Sequence, residues 1–223
     1  MVKTIPGKSG PVSISLLTSG TAATYTVPNG IFRLKVRLVG GGGGGGGADS
    51  AVGNVGVGGG GYSGGYAEKI YVTTPGATFT YTIGAGGAGG LAGNNSGTTG
   101  GNTLFDEAGS VVTAPGGPGG GSMAAGTTMN ATGKPARVQA TGGDLNLFTE
   151  GATRGWRLSS TQWIGSCGAS GLLGNGGGDG FNADGVAAEG YGAGGGGGQR
   201  VNSATDQAGG AGTIGLIIVE EYN

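Results

Sequence analysis

Arg33-Leu-Lys-Val-Arg-Leu-Val-Gly40-Gly-Gly-Gly-Gly-Gly-Gly-Gly47 places two physical regimes side by side. In its first half Leu34, Val36 and Leu38, in phase with the preceding Phe32, fall on one side of an extended chain and Arg33, Lys35 and Arg37 on the other. That alternation is the mark of a half-buried strand. Its second half is eight glycines in a row. An α-helix is disfavoured there by about 1 kcal/mol per glycine relative to alanine. A pleated strand has no side chains to pack. The run suits the left-handed, three-residue helix of the polyproline II type, which has no internal hydrogen bonds. Its N–H and C=O groups must then find partners outside the segment. Bare glycine helices can lie close enough to serve one another. At about 3.1 Å per residue such a run spans roughly 25 Å.

Seven shorter clusters echo the run: Gly58–Gly61, Gly84–Gly90, Gly116–Gly121, Gly142–Gly143, Gly174–Gly178, Gly192–Gly198 and Gly209–Gly212. One glycine helix alone is a floppy linker, whereas several brought back by one chain form a bundle. Glycine and proline account for 62 and 7 of the 223 residues, a level that by itself signals low complexity. Collagen is excluded, because proline is scarce and no Gly-X-Y period persists. Order is favoured by what lies between the runs: charged residues are 10% and hydrophobic residues 35%, the reverse of a disordered composition.

The net charge of −1 gives no general attraction to nucleic acid or anionic membrane. The single cysteine, Cys167, excludes an internal disulfide framework and a cysteine-based zinc site. The start Met1-Val-Lys-Thr-Ile-Pro-Gly lacks the apolar core of a signal peptide, and no stretch has the ~18 apolar residues of a membrane span. Synthesis in a cytoplasm without conventional export is the expectation.

Along the chain, Val12, Ile14, Leu16 and Leu17 form a short apolar patch, and residues 24–30 read as a strand running into a Pro-Asn-Gly turn. Tyr66–Val72 and Phe79–Ile83, joined through Pro75-Gly76, read as a hairpin. Thr103–Phe105 and Ser110–Thr113 flank a turn at residues 106–109. Ile214, Leu216, Ile217, Ile218 and Val219 make the closing segment apolar on both faces, as in a central strand. No stretch has helical periodicity with caps. Polar connectors occupy 48–57, 91–99, 122–141, 144–164, 179–191 and 199–208. The expected fold is all-β: a sandwich core of jelly-roll type anchoring one end of a glycine-helix bundle, with connectors at the tips. Residues 1–20 read as an N-terminal attachment segment and 21–223 as the glycine-rich domain.

Gly61-Tyr-Ser63-Gly-Gly65 matches the nucleophile-elbow pattern, but that chemistry needs a histidine and the chain has none. Gly84-Ala-Gly86-Gly-Ala-Gly89 matches a dinucleotide fingerprint, but a loop-like sequence follows instead of a helix. Gly177-Gly-Asp179-Gly-Phe-Asn182-Ala-Asp184 is a degenerate, single copy of a calcium-binding nonapeptide and reads as a polar turn. No catalytic, cofactor or metal residue is therefore assigned. The stripe Arg33, Lys35, Arg37 reads as a solvated face paired across strands with Glu68 or Glu220. Trp156 and Trp163, beside Arg154 and Arg157, leave two readings open: a contact surface, since Trp and Arg dominate binding hot spots, or a plug for a satellite core.

Taken in order, residues 25–30, 34–39, the glycine run, Gly64-Gly-Tyr-Ala67, Thr74-Pro-Gly76, Tyr81-Thr-Ile-Gly84, the segment 191–198 and the end 209–222 resemble the glycine-rich domain of bacteriophage tail fibre and tail-tip proteins, over roughly 20–223. The chain also resembles phage adhesins that carry bundled polyglycine helices, without the expectation of their long N-terminal attachment region in residues 1–20. The resemblance implies a non-enzymatic virion protein of the phage tail, made in the host cytoplasm. It implies recognition of a bacterial surface receptor, a glycan or an outer-membrane protein, through loops between glycine helices. Trp156, Trp163, Arg154 and Arg157 are the contact candidates. Other tail proteins are the expected partners, a homotrimer is a candidate assembly, and neither nucleic acid nor membrane insertion is expected. The alternatives are a purely structural tail or baseplate part and, behind it, a polysaccharide-degrading enzyme.

Overall fold

The structure, a computed structural model, describes residues 10–223. Its strands are β1 (Ser13–Leu17), β2 (Ala23–Thr26), β3 (Arg33–Val39), β4 (Val55–Val57), β5 (Tyr66–Val72), β6 (Thr78–Thr82), β7 (Thr103–Glu107) and β8 (Ser110–Ala114). Short strands follow: β9 (Asn130–Ala131), β10 (Leu145–Leu147), β11 (Trp156–Arg157), β12 (Trp163–Ile164), β13 (Leu173–Asn175), β14 (Glu189–Tyr191) and β15 (Gln199–Val201). The chain closes on β16 (Leu216–Tyr222).

Two antiparallel sheets face each other, one in the order β1-β16-β3-β5-β10 and the other β2-β6-β7-β8. The alternation in β3 turns Leu34, Val36 and Leu38 inward, against Tyr25, Tyr71, Phe79, Phe105, Val112 and Ile217. Phe79 and Phe105 stack at 4.9 Å, and Tyr71 meets Phe79 edge-on at 5.1 Å. The closing segment lies between β1 and β3, the central place its two apolar faces require. Residues 103–114 form the expected hairpin, turning on Ala108 and Gly109, both at positive φ, as a tight turn between twisted strands needs. The hairpin expected from Tyr66–Val72 and Phe79–Ile83 does not form. β5 pairs with β3 and β10, and β6 with β2 and β7, so Pro75-Gly76 carries the chain from one sheet to the other. Alternation identifies each strand, but not its partner, and the two apolar faces are buried against each other. Of the N-terminal twenty residues, 1–9 lie outside the described residues, while 13–17 form the edge strand β1. On the outer face, Lys35 pairs with Glu68 at 3.0 Å and Arg37 with Glu220, the cross-strand neutralisation expected of that stripe.

The glycine run leaves the end of β3 as a straight rod. Its amides donate in rotation to three neighbours, over 2.8–3.0 Å. Gly40, Gly43 and Gly46 reach Gly65, Tyr62 and Gly59; Gly41, Gly44 and Gly47 reach Gly101, Thr98 and Asn95; Gly42 and Gly45 reach Thr213 and Gly210. Its carbonyls serve three others: Gly41 and Gly44 accept from Gly117 and Gly120, Gly42 and Gly45 from Gly87 and Gly90, Gly43 and Gly46 from Gly195 and Gly198. Each set is spaced by three residues, the period of a polyproline-II-type screw. The rod therefore has six neighbours. The three accepting ones, 58–65, 95–101 and 207–215, run against it; the three donating ones, 84–90, 115–121 and 192–198, run with it.

That alternation descends from the sandwich. Rods 84–90 and 115–121 emerge from β6 and β8 as the central rod emerges from β3, and rods 58–65, 95–101 and 207–215 feed β5, β7 and β16. Neighbouring rods bond to each other as well, for example Tyr62 to Pro118, Gly61 to Gly195 and Gly100 to Gly117. Outer rods show the same period in their side chains. Gly84, Gly87 and Gly90 are buried while Ala85, Ala88 and Leu91 point to solvent. In the central rod no position faces outward: a Cβ on any of the eight glycines would lie 1.9–2.2 Å from a backbone carbonyl oxygen.

Candidate functional site

The rods end, away from the sandwich, in a cap of connectors. β4 and β15 pair there, and Val55, Val57 and Met123 form a small second core with Trp163 and Val201 packed on it. β12, β11 and β9 make a three-stranded sheet with Trp156 opposite Ile164 and Ala131, and Arg157 opposite Trp163 and Asn130. Consecutive residues of a strand point to opposite faces, so Trp156 and Ile164 turn outward and Arg157 and Trp163 inward.

Arg157 thus departs from its expected role as a surface contact. It is 5% exposed, and its guanidinium donates to the carbonyls of Thr128 at 2.6 Å, Ala124 at 2.7 Å and Val55 at 3.2 Å. It pins the 124–128 loop to β4. Trp163 packs as the satellite-core reading has it, with part of its ring on the surface. One side packs on the second core, its Nε1–H donates to Gln199 Oε1, and its ring lies 5.6 Å from that of Phe181. Trp156 is 37% exposed.

Two open clefts flank Gly165. One, about 660 Å3, is lined by Lys134, Arg154, Trp156 and Ile164. The other, about 550 Å3, is lined by Leu158, Gln162, Trp163, Asp179, Phe181 and Gln199. The structure brings Trp156 and Arg154 together in the first and places Trp163 in the second. Lys134 and Phe181 complete them and stand outside the expected set of four. Phe181 had a signal: an aromatic residue in a Gly-Asp-Gly-Phe-Asn turn has no alternation to carry it inward, and it is 76% exposed. Lys134 had none beyond its charge. Tyr62 places it: the phenol, buried in rod 58–65, donates to the carbonyl of Pro135 at 3.0 Å, and burial raises its pKa.

The cap is cross-braced. Asp206 Oδ1 accepts from the amide and the hydroxyl of Ser50, Asp49 Oδ2 accepts from the amide of Ala125, and Asn182 Oδ1 accepts from the amide of Val201. Asp179 Oδ2 accepts from Gln199 Nε2 at 2.6 Å, and Asp184 Oδ1 from the amide of Ala208 at 2.7 Å. Those two carboxylates act as loop ties, the polar-turn reading. Among the described residues no group of three or more Cys, Asp or Glu is placed to share an ion. Ser63 lies within a rod, 2% exposed, its Oγ accepting from the amide of Glu150. Gly84–Gly89 is likewise rod, not a phosphate cradle.

No curated protein matches the chain. A family model described as a glycine-rich domain matches residues 17–222.

Proposed function

The chain belongs to the glycine-rich domain family, and on that premise we propose that it is a non-enzymatic receptor-binding protein of a bacteriophage tail, touching a bacterial surface receptor through the cap. One observation carries the reading. A hydrogen-bonded bundle holds its connectors at one end, and that cap is braced and carries Trp156, Trp163, Phe181 and Arg154 on two clefts. Rigid scaffolds presenting loops are a general way to build recognition, and pre-ordered loops lose little entropy on binding. Rods of bare glycine offer no side chains for selectivity. Absence of histidine and the engaged Ser63 hydroxyl support a binding role over a hydrolytic one.

The structural alternative, a tail or baseplate part without a receptor, draws support from the outer face of the five-stranded sheet, where Ile14, Leu16, Ile70 and Val72 are all more than half exposed. Such a patch suits a neighbouring virion protein. Purified, labelled protein separates the two. On the receptor reading it binds host cells and blocks infection, and Trp156→Ala weakens adsorption without lowering the melting temperature. Protein that binds no cells and does not compete with phage returns the structural reading. Loss of polysaccharide viscosity on incubation would reveal an enzyme.

A further inference from the structure

The first cleft differs from the second in charge. Lys134 and Arg154 both line it, and no carboxylate lies within ion-pair distance of either among the described residues. Among the described residues the other cations are engaged: Lys35 and Arg37 pair with glutamates, Arg137 lies 3.5 Å from Glu150, Arg157 is capped by carbonyls, Arg200 donates to the carbonyl of Asn182, Lys69 donates to Ser110 Oγ at 3.1 Å, and Arg33 lies over the Tyr222 ring at 4.6 Å. Arg154 Nε is buried with no hydrogen-bond partner. Its neighbours in the cleft are Trp156, 37% exposed, and Ile164. The second cleft presents the opposite sign, with Asp179 as its charged group beside Trp163 and Phe181.

Two uncompensated cations beside an exposed indole suit a ring that carries an anion. The indole face covers the apolar face of a pyranose. A guanidinium binds a carboxylate or phosphate as a fork and an ammonium binds it as a point charge. An isolated phosphate would leave the tryptophan unused, and a neutral sugar would leave both cations unpaired. We infer that this cleft is the subsite for the acidic unit of a surface glycan, a uronate or a phosphorylated sugar, with Lys134 and Arg154 taking the anion and Trp156 stacking on the ring. The inference rests on the receptor-binding reading above and names the chemistry of the ligand. The shared chemistry has two sources, phosphate on a lipopolysaccharide core and carboxylate in an acidic capsule.

The full chain is tested on an array of bacterial oligosaccharides in which acidic and neutral members share a backbone, with phosphorylated and uronate members distinguishing the sources. Binding to acidic members, lost on dephosphorylation or carboxyl reduction, is expected. Lys134→Gln and Arg154→Gln should each weaken it about tenfold at low salt, with a shallower salt dependence, while Arg33→Gln on the distant sheet face leaves it unchanged. Melting curves of both cleft variants should overlay the parent, since neither side chain makes a hydrogen bond that holds the cap. Equal binding to acidic and neutral members overturns the inference, as does undiminished binding by Lys134→Gln and Arg154→Gln. Protein that binds host cells but no array member also overturns it while leaving the receptor reading intact. Protein that binds neither cells nor glycans overturns both.

Discussion

At the scale of the residue, glycine acts here through what it leaves out. Gly44 is the clearest case: an added Cβ would sit 1.9 Å from the Ala88 carbonyl oxygen, and backbone held on both sides by its own hydrogen bonds has nowhere to move. Gly44→Ala is expected to cost at least about 3 kcal/mol, beyond ordinary overpacking. Gly133→Ala, with nothing within 4 Å of its added carbon, should change stability by less than about 1 kcal/mol. Urea denaturation of the two variants checks the contrast. Arg157 is the second decisive residue. Arg157→Lys keeps the charge but cannot reproduce a fork across three carbonyls, and is expected to lose about 2 kcal/mol or more. The loss should appear as faster amide exchange in residues 124–128, with the sandwich unaffected. Asp179 and Asp184 tie loops through amide donors, so EDTA is expected to leave the melting temperature where it was. A large drop would restore a cation to that turn.

The rods have the hydrogen bonding of a sheet without its neighbours in a plane. Because each amide of Gly40–Gly47 is bonded inside a ring of six rods, these amides should exchange as slowly as those of β3, opening only with the whole domain. A hydrogen-exchange map with no protection across 40–47 and 192–198 would contradict the bundle. Long strands and most rods were legible in the sequence, because alternation and glycine runs are local signals. Rod 95–101, however, fell mostly in a stretch read as connector, and the clusters at 142–143 and 174–178 hold a bend and the strand β13 instead. Pairing was not legible. The crossing between β5 and β6 depends on which faces meet, and nothing between Tyr66 and Ile83 encodes that. The paired strands of the cap, such as β4 with β15, are three residues long and read as polar connector, because their partners lie far along the chain. The site was half legible. Trp156 and Arg154 were singled out by residue type and line one cleft, whereas the burial of Arg157 depends on a two-residue strand inside a stretch read as connector.

For the whole molecule, the sandwich acts as the template of the bundle, since six of its strands continue directly into rods. Anything that loosens the sandwich should therefore unfold the bundle with it. Its aromatic core predicts how. Burial raises the pKa of Tyr25 and of Tyr71, and Tyr25 also donates to Glu221 at 2.6 Å. Burial together with a hydrogen bond to Glu68 pushes Tyr66 up to about 12. An unfolded phenol ionises near pH ~10. The stability conferred by keeping these phenols neutral is thus complete below that value and is lost as pH climbs towards the folded values. Melting temperature should be flat through neutrality and fall steeply above pH ~10, with the 295 nm tyrosinate band and the loss of near-ultraviolet circular dichroism rising together. Independent titration of all seven tyrosines at an ordinary phenolic pKa would contradict it.

The three-residue screw also gives the chain something like a reading frame. In rod 84–90, Ala85 and Ala88 face water only because they are three positions apart. Deleting one residue upstream of them would turn everything that follows by about 120° and drive methyl groups into carbonyls of the neighbouring rod 95–101. A deletion of three would restore the phase and shorten the rod by one turn. Connectors obey no such rule. Descendants of this sequence can therefore lengthen, shorten or exchange the cap freely, while the shaft beneath it accepts change only in triplets, and only where the partner rods shorten by the same step.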